Sequence, residues 1–161
     1  MNSILLIGCC GSGKTWVMRQ IIKHFNLNKK AKAGLIRFQT NGKLSVLGNY
    51  DGSLFEGGDK LSMAVMKDCA MFEKVRSNNE MIVICEGDRF TNKTFIEICK
   101  PYIIKLTDDG AKGRLARNSN QSERHLKSIK TRVDNIKCDQ VVSNSLEAFE
   151  LIKGMICKEL T

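Results

Sequence analysis

Apolar residues recur along the chain in two rhythms. Ile4-Leu5-Leu6-Ile7 and Met81-Ile82-Val83-Ile84-Cys85 are unbroken apolar runs, the pattern of strands buried on both faces. Val17, Ile21, Ile22 and Phe25, and later Leu61, Val65, Met66, Cys69 and Phe72, return every three or four positions, as on one face of a helix. The two rhythms alternate. They predict a strand over 3–8, a helix over 14–26, and short strands over 35–38 and 44–47 about an Asn41-Gly42 turn. A Gly/Asp-rich loop over 48–60 follows, then a helix over 61–75, a strand over 81–85 and a helix over 92–99. A strand over 102–107, a polar helical region over 111–136, a strand over 140–143 and a helix over 145–158 complete the chain. The single proline, Pro101, falls between helix and strand, where it interrupts no ladder. Alternating β and α elements without a linker or repeat predict one domain over 1–161, a parallel sheet sandwiched by helices.

The junction of the first strand and helix narrows the fold class. Gly8-Cys9-Cys10-Gly11-Ser12-Gly13-Lys14-Thr15 reads G-x-x-x-x-G-K-T, the Walker A phosphate loop. Its glycines let backbone N–H groups turn inward around phosphate, and the following helix adds its positive end. Gly8, Gly11, Ser12, Gly13, Lys14 and Thr15 are thus the expected ATP-binding residues. Lys14 reaches the β/γ oxygens and the Thr15 hydroxyl ligates Mg²⁺. The expected class is a P-loop NTPase/kinase-like α/β fold.

Three further segments carry candidate chemistry. The apolar run 81–85 ends in Glu86-Gly87-Asp88-Arg89, a Walker B-like strand end; Glu86 or Asp88 could hold Mg²⁺ or deprotonate an acceptor hydroxyl. The loop 48–60 has more glycine and aspartate than a connection needs. There Asp51 and, second, Asp59 are candidate catalytic bases, against the simpler roles of turn residue and helix cap. Arg114 and Arg117 share one helix face in a basic, lid-like segment over 110–138 and are candidates to close over the triphosphate. Arg124 and Arg132 read as surface or nucleic-acid contacts. His24 and His125 are isolated and receive no catalytic role, and Trp16 reads as packing.

Charge adds a partner class. With 26 Lys/Arg against 17 Asp/Glu, the formal charge is +9. Residues 14–32 hold six basic side chains and no acid, and 110–138 hold eight against two acids. That surplus exceeds what an ATP pocket needs and suggests a polyanionic partner or a solvated basic face. No apolar run approaches a membrane span, and the N-terminal apolar stretch is too short for a signal peptide. Seven scattered cysteines form no C-x-x-C pair and point to a reducing cytoplasm without a zinc site.

The chain resembles the phage P-loop kinases that act on 5-hydroxymethyluracil in DNA. The resemblance spans roughly residues 3–158 and rests on Tyr50-Asp51-Gly52, Gly58-Asp59-Lys60-Leu61-Ser62, Glu86-Gly87-Asp88-Arg89-Phe90 and the Arg114/Arg117 helix. Lys60 stands where arginine is expected. The resemblance implies transfer of phosphate from ATP to the hydroxymethyl group of the base in polymerised DNA, a step of thymidine hypermodification in the host cytoplasm. Tyr50, Asp51, Asp59 and Arg89, within the motifs that carry the resemblance, and Arg124 and Lys127, from the basic segment, are the expected substrate contacts. Two other readings share the phosphate loop: a kinase of a free nucleoside, nucleotide or small metabolite, and a nucleotide-switched binding module with slow hydrolysis.

Overall fold

The computed structural model describes residues 2–53 and 56–161. Leu54 and Phe55, within the glycine-rich loop, lie outside the described residues. Seven strands form one sheet in the order β2-β3-β4-β5-β1-β6-β7. They are β1 (Ser3–Gly8), β2 (Lys29–Ala33), β3 (Ile36–Thr40), β4 (Leu44–Leu47), β5 (Ile82–Glu86), β6 (Tyr102–Leu106) and β7 (Gln140–Val142). The helices are α1 (Lys14–His24), α2 (Cys69–Asn78), α3 (Lys93–Cys99), α4 (Ala111–Ala116), α5 (Glu123–Asn135) and α6 (Ser145–Leu160).

Alternation along the central strand explains the layering. Ile4 and Leu6 of β1 join Ile82 and Ile84 of β5 in one core, against Val17, Met18 and Ile21 of α1 and Ala148, Ile152 and Ile156 of α6. Leu5 and Ile7 join Val83 and Cys85 in the opposite core, against Cys69 and Phe72 of α2, Phe95 of α3, and Ile129 and Val133 of α5. A strand covered on both faces must be apolar at every position, which is why β1 reads as an unbroken run.

The sheet is not wholly parallel. Strands β4, β5, β1, β6 and β7 are parallel, but β3 runs antiparallel to β4, and β2 antiparallel to β3. The Asn41-Gly42 turn predicted between β3 and β4 forms: Asn41 N donates to Leu44 O at 3.2 Å, and Gly42 has φ 99°. Strand β2 was not expected. Its sequence, Lys-Lys-Ala-Lys-Ala, has neither the hydrophobicity nor the branching of a strand, and it is held by pairing with β3.

Two helix expectations are corrected. The helix expected over 61–75 starts as short 3₁₀ turns, Gly58–Lys60 and Met63–Asp68, and becomes α-helical only at Cys69. The polar region 111–136 is broken into α4 and α5, with Asn118 at φ 49° and Ser122 capping α5 by accepting from His125 N. Among the described residues no helix is long and apolar enough to cross a membrane.

Candidate active site

The order of strands places β1 between β5 and β6, with the chain reaching the far edge before returning. In an open α/β sheet, such a reversal leaves a crevice at the carboxyl ends of the central strands, where ligands bind. Residues 8–15 sit there. β1 ends at Gly8, Gly13 caps α1 in a left-handed conformation, and no acid lies in the first turn of α1. The N–H groups at this helix end therefore meet no acidic side chain from the first turn of α1, an end that would suit an anion. Lys14 Nζ is turned back on its own loop, donating to Gly8 O and Cys9 O at 2.8 Å each.

Glu86 stands at the end of β5, in register with Leu6 of β1, and its side chain is buried. It accepts from the Thr15 hydroxyl at 3.2 Å and from the Tyr50 hydroxyl at 3.4 Å. Burial pushes the Glu86 carboxyl above its ordinary pKa; Lys14, the Thr15 hydroxyl and the Gly58 N–H pull the other way. Burial beside that carboxylate also pushes the Tyr50 phenol up. Gly57 passes so close that a methyl group on it would overlap Glu86 Oε1, and its φ of 105° disfavours any other residue. Thr15 and Glu86 thus supply a hydroxyl and a carboxylate side by side beneath the phosphate loop. That set suits Mg²⁺, which is commonly held by one or two protein oxygens with the substrate's phosphates and water completing the shell. Among the described residues no three His, Cys, Asp or Glu side chains form a metal cluster.

On the other side of the loop, backbone meets backbone. Added Cβ atoms at Gly110 and Gly113 would overlap Cys10 O and Gly11 O, respectively. Helix α4 can approach the phosphate loop this closely only because both positions are glycine. Arg114 Nη1 then donates to Cys10 O at 2.8 Å and to Asp109 O at 2.6 Å. Arg117 is exposed, and its Nε donates to Gly113 O, one turn earlier, at 3.4 Å.

A cleft of about 250 Å³ opens between the phosphate loop, the β5 end and α5. Lys14, Asp59, Asp88, Arg89 and, from the α5 side, Gln121 and His125 line it. Arg89 Nε donates to Leu61 O at 3.3 Å, and Asp88 is paired with Arg132 at 3.1 Å. Asp51 is not brought into this cleft. It is exposed and accepts from Ser53 N at 3.0 Å and Asn49 Nδ2 at 3.1 Å, bonds that hold it in a turn; hydrogen bonds from the side chain and backbone of Ser53 keep its carboxyl below the ordinary value.

Two side chains passed over in the sequence come forward. His125 is four residues before Ile129 and eight before Val133, so it continues the inward stripe of α5 to the cleft. That spacing was readable, but an isolated histidine among charged residues hid it. Glu56, buried at the base of the glycine-rich loop, pairs with Arg19 of α1 and accepts from Gly52 N, tying that loop to the helix after the phosphate loop. Trp16, 40% exposed, meets Phe149 edge-on at 6.2 Å, a packing contact.

The basic segment is partly neutralised. Asp134 binds Lys105 at 2.6 Å and Lys130 at 2.7 Å, and these two ammonium groups hold its carboxyl down to about 2. Lys127 lines a second hollow of about 400 Å³ with Cys9, Cys10, Lys105 and Lys130, while Arg124 stands exposed on the first turn of α5. Neither a protein-family model nor a curated protein matches the chain.

Proposed function

We propose that the protein is an ATP-dependent phosphotransferase with a hydroxyl acceptor. The observation that carries this reading is the Thr15–Glu86 pair at 3.2 Å beneath a glycine loop whose lysine is folded over its own carbonyls. On nucleotide binding, Lys14 leaves Gly8 O and Cys9 O for the β/γ oxygens, where a fixed cation stabilises charge in transit. Mg²⁺ held by Thr15 and Glu86 would neutralise the same oxygens. Arg114, already braced against the loop, has further N–H groups to direct at the triphosphate, and Arg117 supplies a second cation from solvent.

The cleft beside Lys14 is the acceptor site in this reading. An acceptor hydroxyl there attacks the γ-phosphorus, the bond to the ADP oxygen breaks, and the proton passes to a carboxylate. Asp59 is the better placed of the two loop aspartates, since it lines the cleft with Lys14 whereas Asp51 is held at the exposed turn. Asp88 already neutralises Arg132. Arg89 and His125 flank the acceptor.

For the acceptor itself we propose the hydroxymethyl group of 5-hydroxymethyluracil in DNA. The resemblance of Tyr50-Asp51-Gly52, Gly58-Asp59-Lys60-Leu61-Ser62 and Glu86-Gly87-Asp88-Arg89-Phe90 to the phage DNA kinases supports it, as does the +9 charge. A base within a duplex must be turned out to enter a cleft of this size. The test offers γ-labelled ATP with hydroxymethyluracil DNA, thymine DNA and the free hydroxymethyl nucleotide in parallel. Label on hydroxymethyluracil DNA alone is expected. Label only on the free nucleotide would make the protein a small-molecule kinase, and phosphate release with no acceptor labelled would make it a nucleotide switch.

A further inference from the structure

β2, the strand that its own composition does not announce, carries a cluster of basic side chains without an acidic partner among the described residues. β2 is the outermost strand, and it places Lys30 opposite Gln39 and Lys32 opposite Arg37 of β3. Ala31 and Ala33, facing Phe38 and Ile36, turn to the core, so Lys30, Lys32 and Arg37 share the other face. All three are exposed, and among the described residues none forms an ion pair with an acid. A Lys directly across from an Arg is a like-charge cross-strand pair, which destabilises the ladder. Lysines on an edge strand also discourage strand addition, but that purpose does not call for Arg37 on the inner strand facing Lys32.

The same residues line a groove. Lys30, Lys32, Arg37 and Gln39 form one wall, and Gly48, Asn49 and Tyr50 form the end, around a volume of about 280 Å³. Gly48 N donates to Arg37 O at 2.9 Å, which puts Arg37 at the carboxyl end of β4, the sheet edge that holds the phosphate loop. Tyr50 closes the groove at one end, and its hydroxyl reaches Glu86 at the other. A single side chain, Tyr50, thus links the groove to Glu86.

We infer that the groove between β2, β3 and residues 48–50 binds the sugar-phosphate backbone of the nucleic-acid strand that carries the acceptor base, with Lys30, Lys32 and Arg37 contacting its phosphates. This deepens the DNA reading above and depends on it. Phosphate seated between Lys32 and Arg37 removes their mutual repulsion, so part of the cost built into the free protein is recovered on binding. The strand would then run from the groove past Tyr50 towards the cleft.

The test needs neither ATP nor turnover. Binding of a fluorescent thymine oligonucleotide, single-stranded and as a duplex, is measured against salt for the wild type and three variants. In Lys30→Gln/Lys32→Gln/Arg37→Gln, the slope of log K on log [salt] should become shallower by about two to three units, at about 0.7–0.9 per phosphate contact. The charge-preserving Lys30→Arg/Lys32→Arg/Arg37→Lys should keep the wild-type slope. The Gln variant should melt no lower than the wild type, because a repulsion has been removed, and its ATP affinity should be unchanged. If its slope equals the wild type's while Arg124→Gln/Lys127→Gln flattens it, the groove assignment is overturned and the DNA reading stands. If the wild type binds inorganic polyphosphate but neither oligonucleotide, both are overturned.

Discussion

Arg114 Nη1 donates to Cys10 O at 2.8 Å across 104 residues of sequence, pinning α4 to the phosphate loop. The contact exists because Gly110 and Gly113 let the two backbones touch. Gly113→Ala should therefore push α4 off the loop. Activity should fall by roughly tenfold or more, since small misplacements of catalytic groups are costly. Gly154→Ala is the control: it lies within α6 with nothing near its added methyl, and should raise stability by about 0.5–1 kcal/mol. Paired melting and turnover measurements check both; a fully active Gly113→Ala protein would refute the coupling.

Lys14→Ala should remain folded, because the side chain it loses is half-buried and, among the described residues, bonds two loop carbonyls. Phosphate transfer should fall at least about a hundredfold, some 3 kcal/mol of transition-state stabilisation. Single-turnover rates alongside a circular dichroism melt decide it. A folded variant with near-normal turnover is the outcome that removes the nucleotide assignment.

Asp59→Asn and Asp51→Asn separate the two acceptor-side carboxylates. The base should lose on the order of 10²–10⁴-fold in rate with ATP affinity nearly unchanged. From the cleft geometry that signature belongs to Asp59, and Asp51→Asn should stay within about tenfold of wild type. The reverse result would mean that the exposed turn around Asp51 closes over the acceptor during the reaction.

Asp134 gives a pH dependence of stability. Its carboxyl is held down to about 2 in the folded protein by Lys105 and Lys130, against 3.8 as the ordinary value. A depressed carboxyl stabilises the fold above its ordinary pKa and loses that contribution as pH falls towards the folded value. The melting-temperature difference between wild type and Asp134→Asn should thus be constant above pH 3.8 and shrink as pH falls towards about 2. The effect should be modest and weaken with salt, as both partners reach solvent. A difference that grows on acidification contradicts the ion-pair assignment.

What the sequence determined by itself is local. A strand buried on both faces has no polar position to spare, so Ile4 to Ile7 and Ile82 to Cys85 announced β1 and β5. The loop over 8–15 takes positive φ at Gly11 and Gly13 next to a lysine and a hydroxyl, so its spacing is written in consecutive residues. What only the tertiary structure decided is non-local. Lys29–Ala33 is a strand because β3 supplies the hydrogen-bonding partners that its own composition does not call for. Glu86 rather than Asp88 faces Thr15 because the β1–β5 register sets Glu86 beside Leu6, while Asp88, past the turn at Gly87, meets Arg132. Asp51 and Asp59 are equivalent in composition, and only the packing of Gly58–Lys60 against the β5 end brings Asp59 to the cleft. Backbone geometry within a few residues can be read from side-chain type, but which carboxylate meets which cation depends on strand register and layer packing, set by contacts far apart in the chain.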